Sequence, residues 1–339
     1  MKDVILTGLR ANNSLHLGNY LGALLPMLDI VQQKAGEFRV QLFVPDLHSF
    51  TTPIDHQQLR QQVLQTVKTY IALGYPVDHE DVFVYRQSYI PPHSEMAWIL
   101  SCFTGFGEMH RMTQFKEKSA TSKEERASVG LFAYPILMAT DILLYDAMYV
   151  PVGDDQTQHL EFTRDIAERI NATFGPVFTV PEPVAKQHKF FGKDQGLRIR
   201  DLVDPQKKMS KSDATGKGVI FLTDSPETAV KKIMSATTDS LEDVQYDYQT
   251  RPGVSNLLDI LRLLGGQPEQ FIGQNQYGPL KQAVAERVAD FLASFQSNMN
   301  TVDNDRIEAL LKQSEAVMQQ VAVEKLYLLQ QAVGLRPKS

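Results

Sequence analysis

Four short apolar runs in the first half of the chain, VILTG, VQLFVPD, DVFVYRQ and MYVPVG, alternate with stretches whose apolar residues recur at helical spacing. Strands joined by helical crossovers return to the same end of a sheet, so they line up in parallel with helices on the faces. The expected fold class is α/β: a Rossmann-like parallel sheet with a helical insertion, followed by a smaller all-helical C-terminal domain. The insertion is the mainly helical stretch at about 91–147 that interrupts the alternation. The all-helical part is read from VSNLLDILRLLGG, LKQAVAERVADFLASF and DRIEALLKQSEAVMQQVAVEKLYLLQQAVGL, which keep helical spacing with no strand pattern between them. Boundaries follow at 1–203 for the sheet domain, 204–224 for a loop and linker, and 225–339 for the helical domain. One helix is punctuated in full: Asp55 with Gln58 suits a capping box, Leu59, Val63, Val67 and Ile71 form a stripe, and Gly74 with Pro76 ends it.

Two segments call for a separate reading. DPQKKMSKSD, Asp204 to Asp213, has no hydrophobic periodicity and gathers three lysines around Met209. It reads either as a solvated basic turn or as a mobile cationic clamp for a polyphosphate, and a clamp needs the rest of a phosphate site elsewhere. TGLRANNSLHLGNYLGAL supplies one: His16-Leu17-Gly18-Asn19 opens a helix directly after the first strand, where helix-start amides favour anions. Gly18 lets backbone approach phosphate, and His16 and Asn19 can donate hydrogen bonds to it.

Composition removes several other classes. With 43% hydrophobic residues over 339 positions the chain can bury a sizeable core, and it has no run of about 18 apolar residues that would span a membrane. The start MKDVILTGLR is unlike a cleavable leader, so the expected location is the cytoplasm. A single cysteine, Cys102, excludes intrachain disulfides, and the eight histidines lack paired ligand spacing, so no structural metal is expected. The net charge of −6 argues against a nucleic-acid coat but leaves room for a local basic face.

A helix-start HxGN after strand one, paired with KMSKS at the end of the α/β part, resembles the two signatures of the class I aminoacyl-tRNA synthetases. GEMHRMTQFKEKS, YPILMATDILLYDAMYVPVGDDQTQHLEFTRDIAERIN, LVDPQKKMSKSD and RPGVSNLLDI look, in that order, like the tryptophanyl-tRNA synthetase family over nearly the whole chain. The tyrosyl relatives carry a tyrosine and a Gly-Phe-Asp segment near the first strand, and neither occurs in VILTGLRANN.

The resemblance implies activation of L-tryptophan by ATP and its transfer to tRNA(Trp), in a homodimer whose contact comes largely from the insertion and whose helical domain reads the anticodon. Mg²⁺ is expected to travel with ATP. His16, Asn19, Lys118, Lys208 and Lys211 would act in catalysis. Arg10, Ala11, Asn12, Gly18, Gly153, Asp154, Asp155, Ile199, Met209, Ser210 and Ser212 would join Asn19, Lys208 and Lys211 around ATP. Asp141 would bind the indole nitrogen, with Tyr134, Met138, Val152 and Gln156 beside it. On physical grounds a carboxylate on the apolar helix YPILMATDILLY is costly to bury without a donor, though it can also be exposed or satisfied locally. Met138 and Val152 are equally readable as core, and Lys118 as surface. Gln114 and Asp46-Leu47-His48 lie in matching segments with less defined roles.

Three departures stand out. The first loop reads Ala11-Asn12-Asn13-Ser14 where a Pro-Ser-Gly-like turn is common, and Arg10 replaces a frequent glutamine. Arg10 only donates, so its targets are an ATP phosphate, the tryptophan carboxylate or a salt bridge elsewhere. VAKQHKFFGKDQG, longer than usual, is read as a surface loop that could touch tRNA. The rival classes are another nucleotidylyltransferase, which leaves the helical domain without a role, and a synthetase-like protein that no longer charges tRNA.

Overall fold

The computed structural model describes residues 2–11, 15–113, 128–153, 156–192, 198–211 and 216–337. Strands β1 (Val4–Gly8), β2 (Arg39–Val44), β3 (Val82–Arg86) and β4 (Ala147–Tyr149) form one parallel sheet in the order β3-β2-β1-β4. The expected fold class is the one observed. The order turns back between β1 and β4, which opens a crevice at their carboxyl ends.

Alternation along each strand decides which core it feeds. Ile5, Val40, Leu42, Val44, Val82 and Val84 face one cluster, whereas Val4, Leu6, Phe43 and Tyr85 face the other. The first cluster is covered by helices α1 (Leu17–Asn19), α2 (Leu25–Lys34) and α3 (Leu59–Ala72), and by α9 (Pro226–Met234), α10 (Pro252–Leu263) and α11 (Gly278–Thr301). A π turn, Tyr20–Leu24, joins α1 to α2. Pro26 has no N–H for the carbonyl of Gly22, so the α register cannot run through unbroken. The second cluster is covered by α4 (Pro92–Cys102), α5 (Phe106–His110), α6 (Val129–Leu143), α7 (Thr157–Phe174) and the far end of α12 (Asn304–Ala332).

Side chains close both edges of the sheet. At β3 the N–H groups of Val84 and Arg86 donate to Ser314 Oγ (3.2 Å) and Glu315 Oε1 (3.1 Å) of α12. At β4 the buried Gln187, on α8 (Val184–Phe191), accepts from Val150 N–H and donates to Met148 C=O. This shortens the strand expected from MYVPVG: Val150 spends its N–H on Gln187 and Pro151 has none, so the ladder ends at Tyr149. The capping box expected at Asp55 and Gln58 does not form either. Asp55 Oδ1 accepts from Gln57 N–H in a local turn, and α3 begins at Leu59 without a side-chain cap.

Candidate active site

A cavity of about 320 Å³ opens at the carboxyl ends of β1 and β4. Arg10, Tyr134, Met138, Asp141, Val152, Gly153 and Gln156, all named from sequence, line it together with His48. Tyr134, Met138 and Asp141 come from successive turns of α6, so one helix face supplies a ring, a thioether and a carboxylate. Asp141 is 1% exposed yet held by three side chains: Oδ2 lies 2.8 Å from His48 Nε2, and Oδ1 lies 2.6 Å from Gln87 Nε2 and 2.7 Å from His93 Nδ1. Burial pushes its pKa up, but hydrogen bonds from His48 and His93 outweigh that and hold it below the usual carboxylate range. The alternative of local satisfaction is therefore realised, and burial alone no longer requires a ligand donor. An ionised carboxylate has about four acceptor positions, so it retains the capacity to accept one more bond inside the cavity.

Tyr134 Oη pairs with His159 Nε2 at 2.9 Å, which fixes the tyrosine ring against the cavity. Arg10 donates through Nη2 to the His48 carbonyl (2.8 Å) and to Thr51 Oγ1 (3.1 Å). It thereby holds the short turn that carries His48, and burial lowers its pKa.

The two phosphate motifs meet beside this cavity. Leu17 N–H donates to Ile220 C=O (2.8 Å) and Leu222 N–H to Leu15 C=O (2.9 Å), tying the start of α1 to the strand-like segment that follows KMSKS. Met209 is 3% exposed and its N–H donates to the carbonyl of the buried Ile199 (2.9 Å). A methyl group at Gly18 would stand 3.3 Å from Met209 Cβ and 3.1 Å from the His16 ring, so only glycine permits so close an approach without displacement. Lys208 and Lys211 remain exposed, and Ser210 is half-buried. Gly218 serves the same hairpin: a methyl there would fall 2.0 Å from Asp201 Oδ1, which accepts from Val203 and Asp204 N–H.

His16 caps α1. Its Nδ1 accepts from Asn19 N–H (3.2 Å) while Asn19 Oδ1 accepts from His16 N–H (3.1 Å). Burial, followed by the charges of Lys211 and Lys208, lowers its pKa to about 4. At neutral pH the ring is uncharged with its proton on Nε2, a donor suited to a phosphate oxygen. Asn19 can add its amide N–H groups.

The family tRNA synthetases class I (W and Y) matches residues 2–293. The chain belongs to that family. This class I synthetase is 42% identical over 98% of both chains to a tryptophan–tRNA ligase of Caldanaerobacter subterraneus subsp. tengcongensis. It superposes on the tryptophanyl-tRNA synthetase of Mycoplasma pneumoniae with a TM-score of 0.85, 36% identity and 99% of each chain covered. Against the Campylobacter jejuni enzyme complexed with ADP and tryptophan the TM-score is 0.79, at 30% identity over 98% of this chain and 99% of that one.

Within the synthetase site, Ala11 packs against the first core cluster. Asn12, Gln114, Lys118, Asp154, Asp155 and Ser212 lie outside the described residues. Gln87 and His93 were not singled out from sequence, and His48 only as part of a matching segment. All three follow the ends of β2 or β3, where an α/β sheet collects its ligands, and that position was the available signal.

Proposed function

We propose that the protein activates L-tryptophan with ATP to tryptophanyl-adenylate, releasing pyrophosphate, and transfers the aminoacyl group to the terminal ribose of tRNA(Trp). The observation that carries this reading is the packing of Gly18 against Met209 beside a cavity that holds one ionised carboxylate, Asp141. The substrate carboxylate attacks the α-phosphorus in line, so the site needs positioning and charge stabilisation rather than a protein nucleophile. His16 Nε2–H, Asn19, Lys208 and Lys211 face the phosphates, with Lys118 as a further cation. Gly18, Met209, Ser210 and Ser212 shape the phosphate cradle; Ala11, Asn12, Gly153, Asp154, Asp155 and Ile199 surround the nucleoside. Asp141 accepts the indole N–H, and Tyr134, Met138, Val152 and Gln156 complete the amino-acid pocket. Arg10 acts by fixing His48, and its charge favours the substrate carboxylate. Mg²⁺ enters as MgATP, carried by the polyphosphate oxygens.

Residues 1–203 are proposed as the catalytic domain, 204–224 as the clamp and linker, and 225–339 as the part that reads the anticodon. A homodimer, acting in the cytoplasm, is proposed with them. Part of the apolar surface of MAWILSCF in the insertion, carrying Met96, Trp98, Ile99 and Phe103, is proposed to meet the second subunit: Met96 and Ile99 are buried within the chain and Phe103 packs on Phe174, whereas Trp98, with Phe106 and Val129 of the same insertion, is exposed, at 73%, 71% and 81%. Tryptophan-dependent ATP–pyrophosphate exchange followed by tRNA charging tests the reading. Exchange with tyrosine in preference would overturn the substrate, and exchange without charging would favour the non-charging rival.

A further inference from the structure

The carboxylate that marks the amino-acid pocket is linked to the far end of the sequence by a short chain of contacts. Glu315, on α12, takes Arg86 in a bidentate pair, Nε to Oε1 at 2.6 Å and Nη2 to Oε2 at 2.8 Å, and also accepts Arg86 N–H at 3.1 Å. Side-chain exposure is 6% for Arg86 and 11% for Glu315. The next residue, Gln87, is fully buried; its Nε2 donates to Asp141 Oδ1 (2.6 Å) and its Oε1 accepts from Leu47 N–H (3.1 Å), beside His48.

Closing the sheet edge does not by itself call for this pair. Two residues earlier a neutral hydroxyl, Ser314 Oγ, is enough for Val84 N–H. A buried ion pair is costly to desolvate, and apolar packing often serves stability as well or better, but a bidentate guanidinium fixes direction in a way apolar packing cannot. What distinguishes Arg86 from Val84 is that Gln87 follows it. We propose that Glu315 is a positioning residue for the amino-acid pocket: by fixing the end of β3 it sets, through Gln87, the orientation of Asp141. The proposal rests on the reading of the Asp141 cavity as the tryptophan site.

The test is pyrophosphate exchange, normalised to titrated active sites, with KM determined separately for tryptophan and ATP. Glu315→Gln is expected to raise KM for tryptophan roughly threefold to thirtyfold while KM for ATP stays within about twofold. In a Gln87→Leu background the same substitution should add less than about twofold, because the route to Asp141 is already cut. Glu308→Gln, which weakens only outer 3.4 Å contacts to Arg86 and Arg60, should leave both constants unchanged. If Glu315→Gln does not fold, Arg86→Lys keeps the charge without the fork and should give the same split. Unchanged KM for tryptophan, equal shifts in both constants, or an undiminished effect in the Gln87→Leu background would each overturn the proposal. A wild-type protein with no tryptophan-dependent exchange would instead overturn the pocket reading, so the two failures are distinguishable.

Discussion

His16 offers a phosphate a donor that does not switch off over the physiological range. Its folded pKa, about 4, lies below the unfolded value near 6.5, so between those limits the unfolded chain binds more protons. The stability that this difference contributes is full above about pH 6.5 and is lost as pH falls toward 4. Proton NMR should show the His16 ring titrating near pH 4, and moving toward its ordinary value once Lys208 and Lys211 are both replaced by Met; a midpoint near 6.5 in the wild type would remove the neutral-donor argument. Replacing either lysine alone by Ala should slow adenylate formation by about two to three orders of magnitude with little change in tryptophan affinity. Asp141→Ala reaches further than loss of selectivity. It strands donors on His48, Gln87 and His93, at about 1–3 kcal/mol for each that stays buried. Denaturant unfolding should therefore show a lower midpoint alongside weakened selection of tryptophan over phenylalanine; unchanged stability would mean that the network is not formed. From sequence the Tyr134, Met138 and Asp141 stripe was legible because one helix carries it. The donors to Asp141 were not, since they arrive from separate crossovers and only the strand order brings them together.

Elements explain how a loop without hydrophobic periodicity is placed at all. The ribbon Ile199–Leu202 holds the lysine loop from both sides: Met209 N–H on Ile199 C=O, Asp201 N–H on Lys207 C=O, and Leu202 N–H on Gly218 C=O. Gly218→Ala must push Asp201 aside, and a small displacement of catalytic groups can cost up to about a hundredfold in rate. Expected is a fall in kcat for adenylate formation with KM for tryptophan preserved; an unaltered kcat would show that the hairpin absorbs the methyl. The loop was legible as a break in periodicity, and so were the strands and helices beside it. Its docking was not, because long-range backbone pairing between residues 15–17 and 220–222 leaves no side-chain pattern to read. Local competition hid other details: Asp55 closes a turn in place of a cap, and Gln187, inside a segment that looked like plain surface, completes the β4 edge.

At the scale of the whole molecule, the proposed second subunit has a built-in reporter. Trp98 is the only tryptophan in the chain, and it stands 73% exposed, as bare as Phe106 at 71% in the same insertion. Without ligand, its fluorescence should be that of a shielded indole at micromolar concentration and shift to the red in a Phe106→Glu variant that sediments as a monomer. Red-shifted emission from a wild-type monomer would exclude the dimer. The helical character of this region was legible; which of its side chains turn outward depended on how α4 packs against the second core cluster.

Because α12 is synthesised after the four strands of the sheet, a growing chain carries an unfinished sheet until that helix leaves the ribosome. Until then the amides of Val84 and Arg86 await Ser314 and Glu315, and an open strand edge is a surface on which unrelated chains can add. Protein made short of Asn304 is accordingly expected in the pelleted fraction of a cell extract. Biosynthesis thus leaves a sheet whose folding is finished by a helix made more than two hundred residues after its β3 edge: exposure of that edge lasts as long as α12 is unmade.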